Sequence, residues 1–192
     1  AVEVMNKLEV VGGYADGSFN PDGTLTRGAA AKIICNILVG PETASSLAAN
    51  TAPYSDVPVN HTFAGYIAYC AEKGIISGYA DGTFRPAATL TGYAFVKMLL
   101  TGLGYDQGIE GYTGTNWAIN VAEDAVEKKL TDGLDGKFVG NKAITREEAC
   151  LFALNALMAE TVKYENKGSN IVIGGVEINT AAGDAKDTGK LL

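Results

Sequence analysis

The feature that most constrains this chain is a short stretch that occurs twice with little change. Residues 78–86 read Gly-Tyr-Ala-Asp-Gly-Thr-Phe-Arg-Pro, and residues 13–21 read Gly-Tyr-Ala-Asp-Gly-Ser-Phe-Asn-Pro. A more divergent copy, Leu-Asp-Gly-Lys-Phe, occupies residues 134–138. Self-similarity of this kind indicates a chain built from repeated supersecondary units.

Two landmarks fix the register of the repeats. The step from Phe19 to Phe84 defines a first offset, and the step from Phe84 to Phe138 defines a second, shorter one. The threonines Thr26, Thr91 and Thr145 keep the same two offsets. An insertion at residues 41–53 accounts for the greater length of the first. We therefore predict three repeats and a different final segment, over residues 1–44, 45–104, 105–160 and 161–192.

A helix is predicted directly after each of these threonines. The hydroxyl of Thr26, Thr91 or Thr145 suits an N-cap, because it can accept a hydrogen bond from a free N–H group of the first turn. Apolar residues then recur with helical spacing at the same five positions of every repeat. Three such stripes in register indicate three equivalent helices that share one core. Earlier helices are predicted over residues 63–73 and 117–129.

The character of the sequence changes at residue 161. Residues 161–164 and 171–173 are rich in strand-forming residues, and Glu-Asn-Lys-Gly lies between them. This pattern predicts a β-hairpin. Residues 176–178 are expected to add a strand, and residues 180–190 to form a flexible polar tail that leads into a further region.

Composition excludes several classes of protein. The formal net charge of −7 argues against nucleic-acid binding, which needs a basic surface. No apolar run approaches the roughly 20 residues that a membrane span requires. There is no basic-then-apolar leader at Ala1, so we expect a mature or trimmed chain. The first offset also places Ala1 opposite Tyr66, part-way through the first helix of a repeat.

Three cysteines occur, at Cys35, Cys70 and Cys150. Each falls within a helical pattern, and no two have the spacing of metal ligands. We expect buried free thiols that act as small apolar side chains.

The sequence from Tyr54 to Gly104 resembles an S-layer homology domain. The resemblance is carried by Tyr-Ser-Asp-Val at residues 54–57, by the run Gly-Ile-Ile-Ser-Gly-Tyr-Ala-Asp-Gly-Thr-Phe-Arg-Pro at residues 74–86, and by the Leu-Thr pair before the next helix. The first repeat matches from its second half. The third matches at Trp117, at its Asp-Gly and Phe138, and at the Ile-Thr-Arg-Glu-Glu of the last predicted helix.

The resemblance implies an all-α, pseudo-threefold domain with a central three-helix bundle, to which we add the short C-terminal β-hairpin. It implies a non-catalytic module on the surface of a bacterium of Gram-positive type. Such modules hold exported proteins at the cell wall by binding secondary cell-wall polysaccharide, often pyruvylated, in grooves between repeats. From the residues themselves we expect no cofactor, metal, nucleic acid or membrane span.

The three repeats match the Thr-Arg-Ala-Glu motif of the family to different extents. It reads Thr-Arg-Gly-Ala from Thr26, Thr-Gly-Tyr-Ala from Thr91 and Thr-Arg-Glu-Glu from Thr145. The charged members are therefore missing from the second repeat. We expect binding mainly around Arg27 and Arg146, and we expect the groove at the motif of the second repeat, Gly92 to Ala94, to be silent.

Arg27 and Arg146 occupy the same repeat position, next to a helix start. Free N–H groups and a guanidinium together suit a carboxylate or phosphate substituent. The alternative is that each arginine braces its own repeat by bonding loop carbonyls or the acids Asp16 and Asp135. The rings of Trp117, Tyr14 and Tyr79 could stack on sugar rings, or they could simply pack in the core. The candidate binding residues are Tyr14, Asp16, Thr26, Arg27, Tyr79, Asp81, Arg85, Trp117, Asp135, Thr145, Arg146 and Glu147.

The same residues bear on three other functions. Residues 16–22 resemble the start of a calcium loop, but Pro21 and Arg27 stand where an EF-hand needs glycine and glutamate. Catalysis is not indicated, because the sole histidine, His61, has no nucleophile, metal or phosphate motif around it. Self-association into a surface lattice is the remaining alternative.

Overall fold

The computed structural model describes residues 1–173 and 176–191. The helices in this part of the chain are α1 (Val2–Lys7), α2 (Arg27–Val39), α3 (Pro41–Ser45), α4 (Ala64–Glu72), α5 (Gly92–Leu103), α6 (Trp117–Glu127) and α7 (Arg146–Met158). The strands are β1 (Glu160–Tyr164), β2 (Ser169–Ile173), β3 (Val176–Thr180) and β4 (Ala185–Lys190).

The predicted threonine caps are confirmed at α2, α5 and α7. The hydroxyl oxygens of Thr26 and Thr91 each accept a hydrogen bond from the N–H group three residues later, at 3.3 Å. Thr145 does the same at 3.2 Å, and the carboxylate of Glu148 accepts in return from the Thr145 N–H group. This reciprocal pair is a capping box. Each long helix therefore starts where the repeated threonine sets it.

Helices α2, α5 and α7 each contact the other two. Their predicted apolar stripes are buried except at Leu38 and Gly102, which are partly exposed. The buried members are Ala30, Ile33, Ile34, Ile37, Phe95, Met98, Leu99, Leu103, Ala149, Phe152, Ala153, Ala156 and Leu157. The core therefore lies where the three repeats meet.

A closed cycle of backbone hydrogen bonds joins the residues that precede these helices. The N–H group of Leu25 donates to the carbonyl oxygen of Ile144 at 3.0 Å, and Ile144 donates to Leu90 at 3.1 Å. Leu90 donates back to Leu25 at 3.3 Å. All three side chains are buried. Each repeat is thus held at its centre by both of the others.

The insertion after α2 contains α3, which was not predicted, and it covers α4. A Cβ atom at Gly65 in α4 would lie 2.1 Å from the carbonyl oxygen of Leu47. Only glycine allows the two backbones to approach this closely. The insertion therefore adds a layer on the second repeat.

The predicted hairpin is wrong in its pairing. Strand β1 pairs antiparallel with β4, and β2 pairs with β3, so the described residues contain two two-stranded sheets. The strand expected at residues 176–178 is confirmed as part of β3. The prediction of a flexible tail over residues 180–190 is wrong, because residues 185–190 form β4. The all-α description therefore holds only up to residue 159.

Tertiary contacts explain why β1 takes β4 as its partner. Val162 of β1 is buried, and its carbonyl oxygen lies against Gly104 at the end of α5. Lys128, just beyond α6, forms an ion pair with Asp187 of β4. These contacts hold β1 against the end of the second repeat and β4 against the third repeat, and they outweigh the low strand propensity of the β4 sequence.

The predicted state of the cysteines is confirmed: Cys35, Cys70 and Cys150 are buried and free. In the described part of the chain, no helix combines the length and apolar character needed to cross a membrane.

Candidate functional site

The first N–H groups of α2, α5 and α7 donate hydrogen bonds to the loop of a neighbouring repeat. The N–H group of Arg27 donates to the carbonyl oxygen of Ala88 at 2.8 Å, and that of Gly28 donates to Pro86 at 2.9 Å. The next N–H group donates to the Thr26 hydroxyl. The expectation of free N–H groups at these helix starts is therefore wrong.

The other two helix starts repeat this arrangement. In α5, Gly92 donates to the carbonyl oxygen of Lys142 at 2.9 Å, which belongs to the third repeat. In α7, Arg146 donates to Gly23 at 2.8 Å and Glu147 donates to Pro21 at 3.1 Å. The contacts run from the first repeat to the second, from the second to the third, and from the third to the first.

The side chain of Arg27 follows its backbone across to the second repeat. Its Nε atom donates to the carbonyl oxygen of Phe84 at 2.8 Å, and Nη2 donates to Ser77 at 3.0 Å. The guanidinium also lies over the rings of Phe84 and Tyr79, at 4.3 and 5.1 Å from their centroids. Burial lowers the pKa of Arg27. Among the described residues, Nη1 has no protein acceptor.

Arg146 makes the same set of contacts with the first repeat. Nε donates to Phe19 at 2.9 Å and Nη2 to Gly12 at 2.8 Å, and the guanidinium lies over Phe19 and Tyr14. Both arginines thus brace loop carbonyls, as the alternative interpretation required. The loop is that of the neighbouring repeat, and neither Asp16 nor Asp135 is a partner.

The Asp-Gly turns are held by their own aspartates. Oδ1 of Asp81 accepts from the N–H group and the hydroxyl of Thr83, and Oδ2 pairs with Arg85 at 2.8 Å. The Thr83 hydrogen bonds, together with Arg85, lower the pKa of Asp81 to about 2. Asp16 accepts from Ser18 in the same way, which lowers its pKa. Both aspartates are engaged in shaping the turns.

A groove of about 340 Å³ lies between Arg27, helix α5 and the start of α6. We call it the Arg27 groove. Its polar lining includes Ser77, Lys97, Gln107 and Thr113, and Trp117 forms its aromatic wall. Nζ of Lys97 donates to the Tyr112 carbonyl oxygen at 2.6 Å and lies 5.7 Å from the Trp117 ring centroid. Burial lowers the pKa of Lys97.

A second groove of about 180 Å³ lies beside Arg146, and we call it the Arg146 groove. Its lining includes Lys32 from α2 and Phe63 from the start of α4. Lys32 and Lys97 are related by the first offset of the repeats, and Phe63 and Trp117 by the second. Each groove thus combines an arginine, a lysine and an aromatic residue, contributed by all three repeats.

The equivalent place in the third repeat lacks both cations. Gly92 replaces the arginine, and the second offset carries Lys97 onto Leu151. A Cβ atom at Gly92 would lie 2.7 Å from the ring of Phe138, so that ring occupies the space a longer side chain would need. Tyr93 packs edge-on against Phe138, with ring centroids 5.4 Å apart. This face is apolar and filled.

The two grooves bring together some of the predicted residues and leave others out. Arg27 and Trp117 line the first groove, and Arg146 lines the second. Tyr79 and Tyr14 are exposed outside the grooves and lie against the guanidinium groups of Arg27 and Arg146. Thr26 and Thr145 cap the helices. The acidic candidates line neither groove and are exposed, namely Asp16, Asp81, Asp135 and Glu147. Arg85 is exposed too, and its guanidinium lies 4.2 Å from the Tyr79 centroid.

Sequence reasoning missed Lys32, Lys97 and Gln107, and it used Phe63 only as the start of a predicted helix. The lysines could have been found, because they share the first offset with the other landmarks. Gln107 comes from an irregular connector with no repeat equivalent, so no periodic signal identifies it. Within the described residues there is no cluster of three or more histidine, cysteine, aspartate or glutamate side chains placed to hold a metal ion.

Comparison with known proteins gives several relatives from bacterial cell surfaces. The middle cell wall protein of Brevibacillus brevis is 26% identical over 170 residues, which are 88% of this chain and 15% of that protein. The surface layer protein of Brevibacillus choshinensis is 27% identical over 163 residues, 85% of this chain and 14% of that protein. A cellulosome-anchoring protein of Acetivibrio thermocellus is 32% identical over 93 residues, 47% of this chain and 20% of that protein. The chain thus spans only a small part of the length of these relatives.

The model of the S-layer homology domain matches residues 1–31, 53–92 and 113–150, which together make up more than half of the chain. One matched segment falls in each repeat. Each segment contains the capping threonine and the residue after it, which is an arginine in the first and third repeats and Gly92 in the second. The chain belongs to the S-layer homology domain family.

Proposed function

We propose that this chain is a non-catalytic module that anchors a longer protein to the bacterial cell wall. The observation that carries the proposal is the pair of equivalent grooves, each with an arginine, a lysine and an aromatic wall. Relatives named as surface-layer, cell-wall and cellulosome-anchoring proteins support the anchoring role. We further propose that α2, α5 and α7 form a bundle around a pseudo-threefold axis.

The ligand we propose is a secondary cell-wall polysaccharide that carries acidic substituents such as pyruvyl groups. The chain has a net charge of −7, so an anion has to be attracted by local cations against the overall field. In the Arg27 groove, Nη1 of Arg27 and Nζ of Lys97 are the donors that can hold a carboxylate. Trp117 offers a face on which the C–H surface of a sugar ring can pack.

The grooves are proposed to differ in what they bind. The Arg27 groove is larger, and its extra lining comes from the connector that supplies Gln107 and Thr113. The Arg146 groove is bounded by the smaller Phe63 and has no such connector. We therefore assign the longer oligosaccharide segment to the Arg27 groove. The face at Gly92 is proposed to be silent, because it offers no cation.

Self-association is a second candidate function, and one surface favours it. On α6, Ile119 is 60% exposed and Val126 is 71% exposed, and both lie along one apolar patch with Ala122. If this patch drives assembly, the chain alone should form concentration-dependent aggregates without polysaccharide. Ile119→Ser with Val126→Ser should then abolish them.

The test of anchoring is co-sedimentation with Gram-positive cell-wall sacculi, before and after acid removal of the secondary polysaccharide. Binding that is lost on stripping supports the proposal, and binding to neither preparation contradicts it. The arginines are unsuitable for testing the grooves, because their removal also removes braces between repeats.

Lysine variants disturb the contacts between repeats less than arginine variants do, because the Lys97 side chain donates one such hydrogen bond, to the Tyr112 carbonyl oxygen, whereas the Arg27 side chain donates two. Lys32→Met and Lys97→Met remove the charge while keeping most of the side-chain length. The double variant is expected to stay folded and to lose sedimentation with sacculi. Lys137→Met, at an exposed lysine outside both grooves, is the matched control and should bind normally. Full-strength binding by the folded double variant would exclude the two grooves as the site.

A further inference from the structure

Two of the three cysteines meet in the core between the first and second repeats. Cys35 lies on α2 and Cys70 on α4, and their sulfur atoms are 3.6 Å apart. Both residues are completely buried. The Cys35 thiol is also within reach of the Tyr66 carbonyl oxygen, at 3.5 Å, and the Cys70 thiol of Ala31, at 3.7 Å. Cys150 lies on α7 and belongs to the wall of the Arg146 groove.

We propose that Cys35 and Cys70 form a redox-sensitive pair that closes to a disulfide linking the first two repeats. A disulfide places its sulfur atoms about 2.05 Å apart, so the two have to approach by roughly 1.5 Å. The helices that carry them already contact each other. The juxtaposition of two side chains from different repeats distinguishes this pair from Cys150, which has no cysteine neighbour among the described residues.

The oxidant we propose is a small-molecule or protein disulfide. The thiolate of one cysteine attacks a sulfur of the oxidant, which releases one thiol and leaves a mixed disulfide. The thiolate of the second cysteine then attacks the protein-bound sulfur and releases the second thiol. Two S–H bonds are lost and one S–S bond is gained, and the oxidant is reduced to two thiols.

The native packing controls when this reaction can occur. The neighbouring Cys35 thiol and burial both raise the pKa of Cys70, so the closed structure holds little thiolate. Helix α4 has nine residues and no side-chain N-cap hydrogen bond. Opening of α4, or folding in the presence of the oxidant, is therefore the step that exposes the thiols. Oxidation of the folded chain should be much slower than oxidation during refolding.

The cross-link would act on one groove only, a consequence that rests on the proposed function. Helix α2 carries Lys32, and Phe63 immediately precedes α4, so a bond between these helices fixes two walls of the Arg146 groove. The equivalents of Cys35 and Cys70 in the next pair of repeats are Leu100 and Asp124. The Arg27 groove therefore has no corresponding link.

The test is to refold the chain in dithiothreitol or in glutathione disulfide, denature it, alkylate the free thiols and map them by mass spectrometry. The reduced sample should carry three alkylated cysteines, and the oxidised sample should carry one, at Cys150. Three alkylated cysteines in both samples would overturn the proposal. So would a bridge that includes Cys150, or glutathione left attached to Cys35 or Cys70.

Two variants and a binding measurement complete the test. Cys150→Ala should still form the cross-link and show a higher melting temperature when oxidised, whereas Cys70→Ala should show no shift. Sacculus binding is then compared for oxidised and reduced Lys97→Met, in which only the Arg146 groove keeps both cations. A changed affinity supports the effect on the groove. Equal affinity with the cross-link present would reject the effect on the groove, while the proposal that Cys35 and Cys70 form a disulfide would still hold.

Discussion

Nη2 of Arg146 donates to the carbonyl oxygen of Gly12 at 2.8 Å, although the two residues lie at opposite ends of the repeat array. The contact closes the chain on itself, because it joins the last repeat to the first. Arg27 makes the corresponding contact with Ser77 at 3.0 Å. The order of repeats in space is therefore fixed partly by the same residues that line the grooves.

We predict that Arg146→Ala destabilises the fold by about 2–4 kcal/mol, since it leaves the carbonyls of Gly12 and Phe19 without their donor and removes packing on two rings. Arg146→Lys should cost less, because a lysine can reach one of the two carbonyls. Urea denaturation followed by circular dichroism gives both values. Variants as stable as the parent chain would show that the brace contributes nothing.

The features of the fold that depend on neighbouring residues could be predicted from the sequence. The threonine caps and the apolar stripes depend on residues within one or two turns of each other, and both lie where the pattern placed them. Which loop each arginine contacts could not be predicted. The sequence motif is the same whether an arginine braces its own repeat or the next one, and only the cyclic arrangement decides.

The C-terminal strands illustrate the same limit. The residues of β4 are Ala-Lys-Asp-Thr-Gly-Lys, which have low strand propensity and resemble a polar tail. The strand forms because β1 offers it an edge and Lys128 holds Asp187. No local pattern encodes those contacts. The lysines of the grooves were different, since a comparison of all charged residues at the first offset of the repeats would have found them.

A second prediction concerns two glycines inside helices. Gly65→Ala places a Cβ atom 2.1 Å from the Leu47 carbonyl oxygen, which is backbone and cannot rotate away. We expect a loss of about 2–3 kcal/mol as the insertion is pushed off α4. Gly102→Ala is the matched control, because its Cβ would meet Leu38 at an ordinary 3.4 Å. That change should be neutral or stabilise α5 by up to about 1 kcal/mol. Equal effects in thermal unfolding would contradict the close packing at Gly65.

The third prediction is a dependence of stability on pH at Asp124. Burial raises the pKa of this carboxyl group, although Tyr112 donates a hydrogen bond to it. A raised pKa in the folded state means that the fold favours the protonated carboxyl group. The stabilisation that protonated Asp124 gives is complete below the unfolded pKa and is lost as pH rises through the folded pKa. Asp124→Asn, which cannot ionise, should therefore melt higher than the parent chain at pH 7. The difference should vanish below about pH 3.5. A variant that is less stable at pH 7 would show that the carboxylate is favourable where it lies.

The fourth prediction uses Trp117, the sole tryptophan of the chain, which lines the Arg27 groove and not the Arg146 groove. Its fluorescence should therefore report ligand entry at one groove. Titration with polysaccharide fragments released from sacculi by acid should change the emission of the parent chain. Lys97→Met should raise the fragment concentration at half-maximal change at least tenfold, because it removes one of the two cations that line this groove, a loss of about 1.4 kcal/mol or more in binding free energy. Lys32→Met should leave the response unchanged while lowering the total amount of ligand bound in equilibrium dialysis. If both lysine variants alter the emission equally, the grooves do not act as separate sites, and a single surface spanning the three repeats would have to replace them.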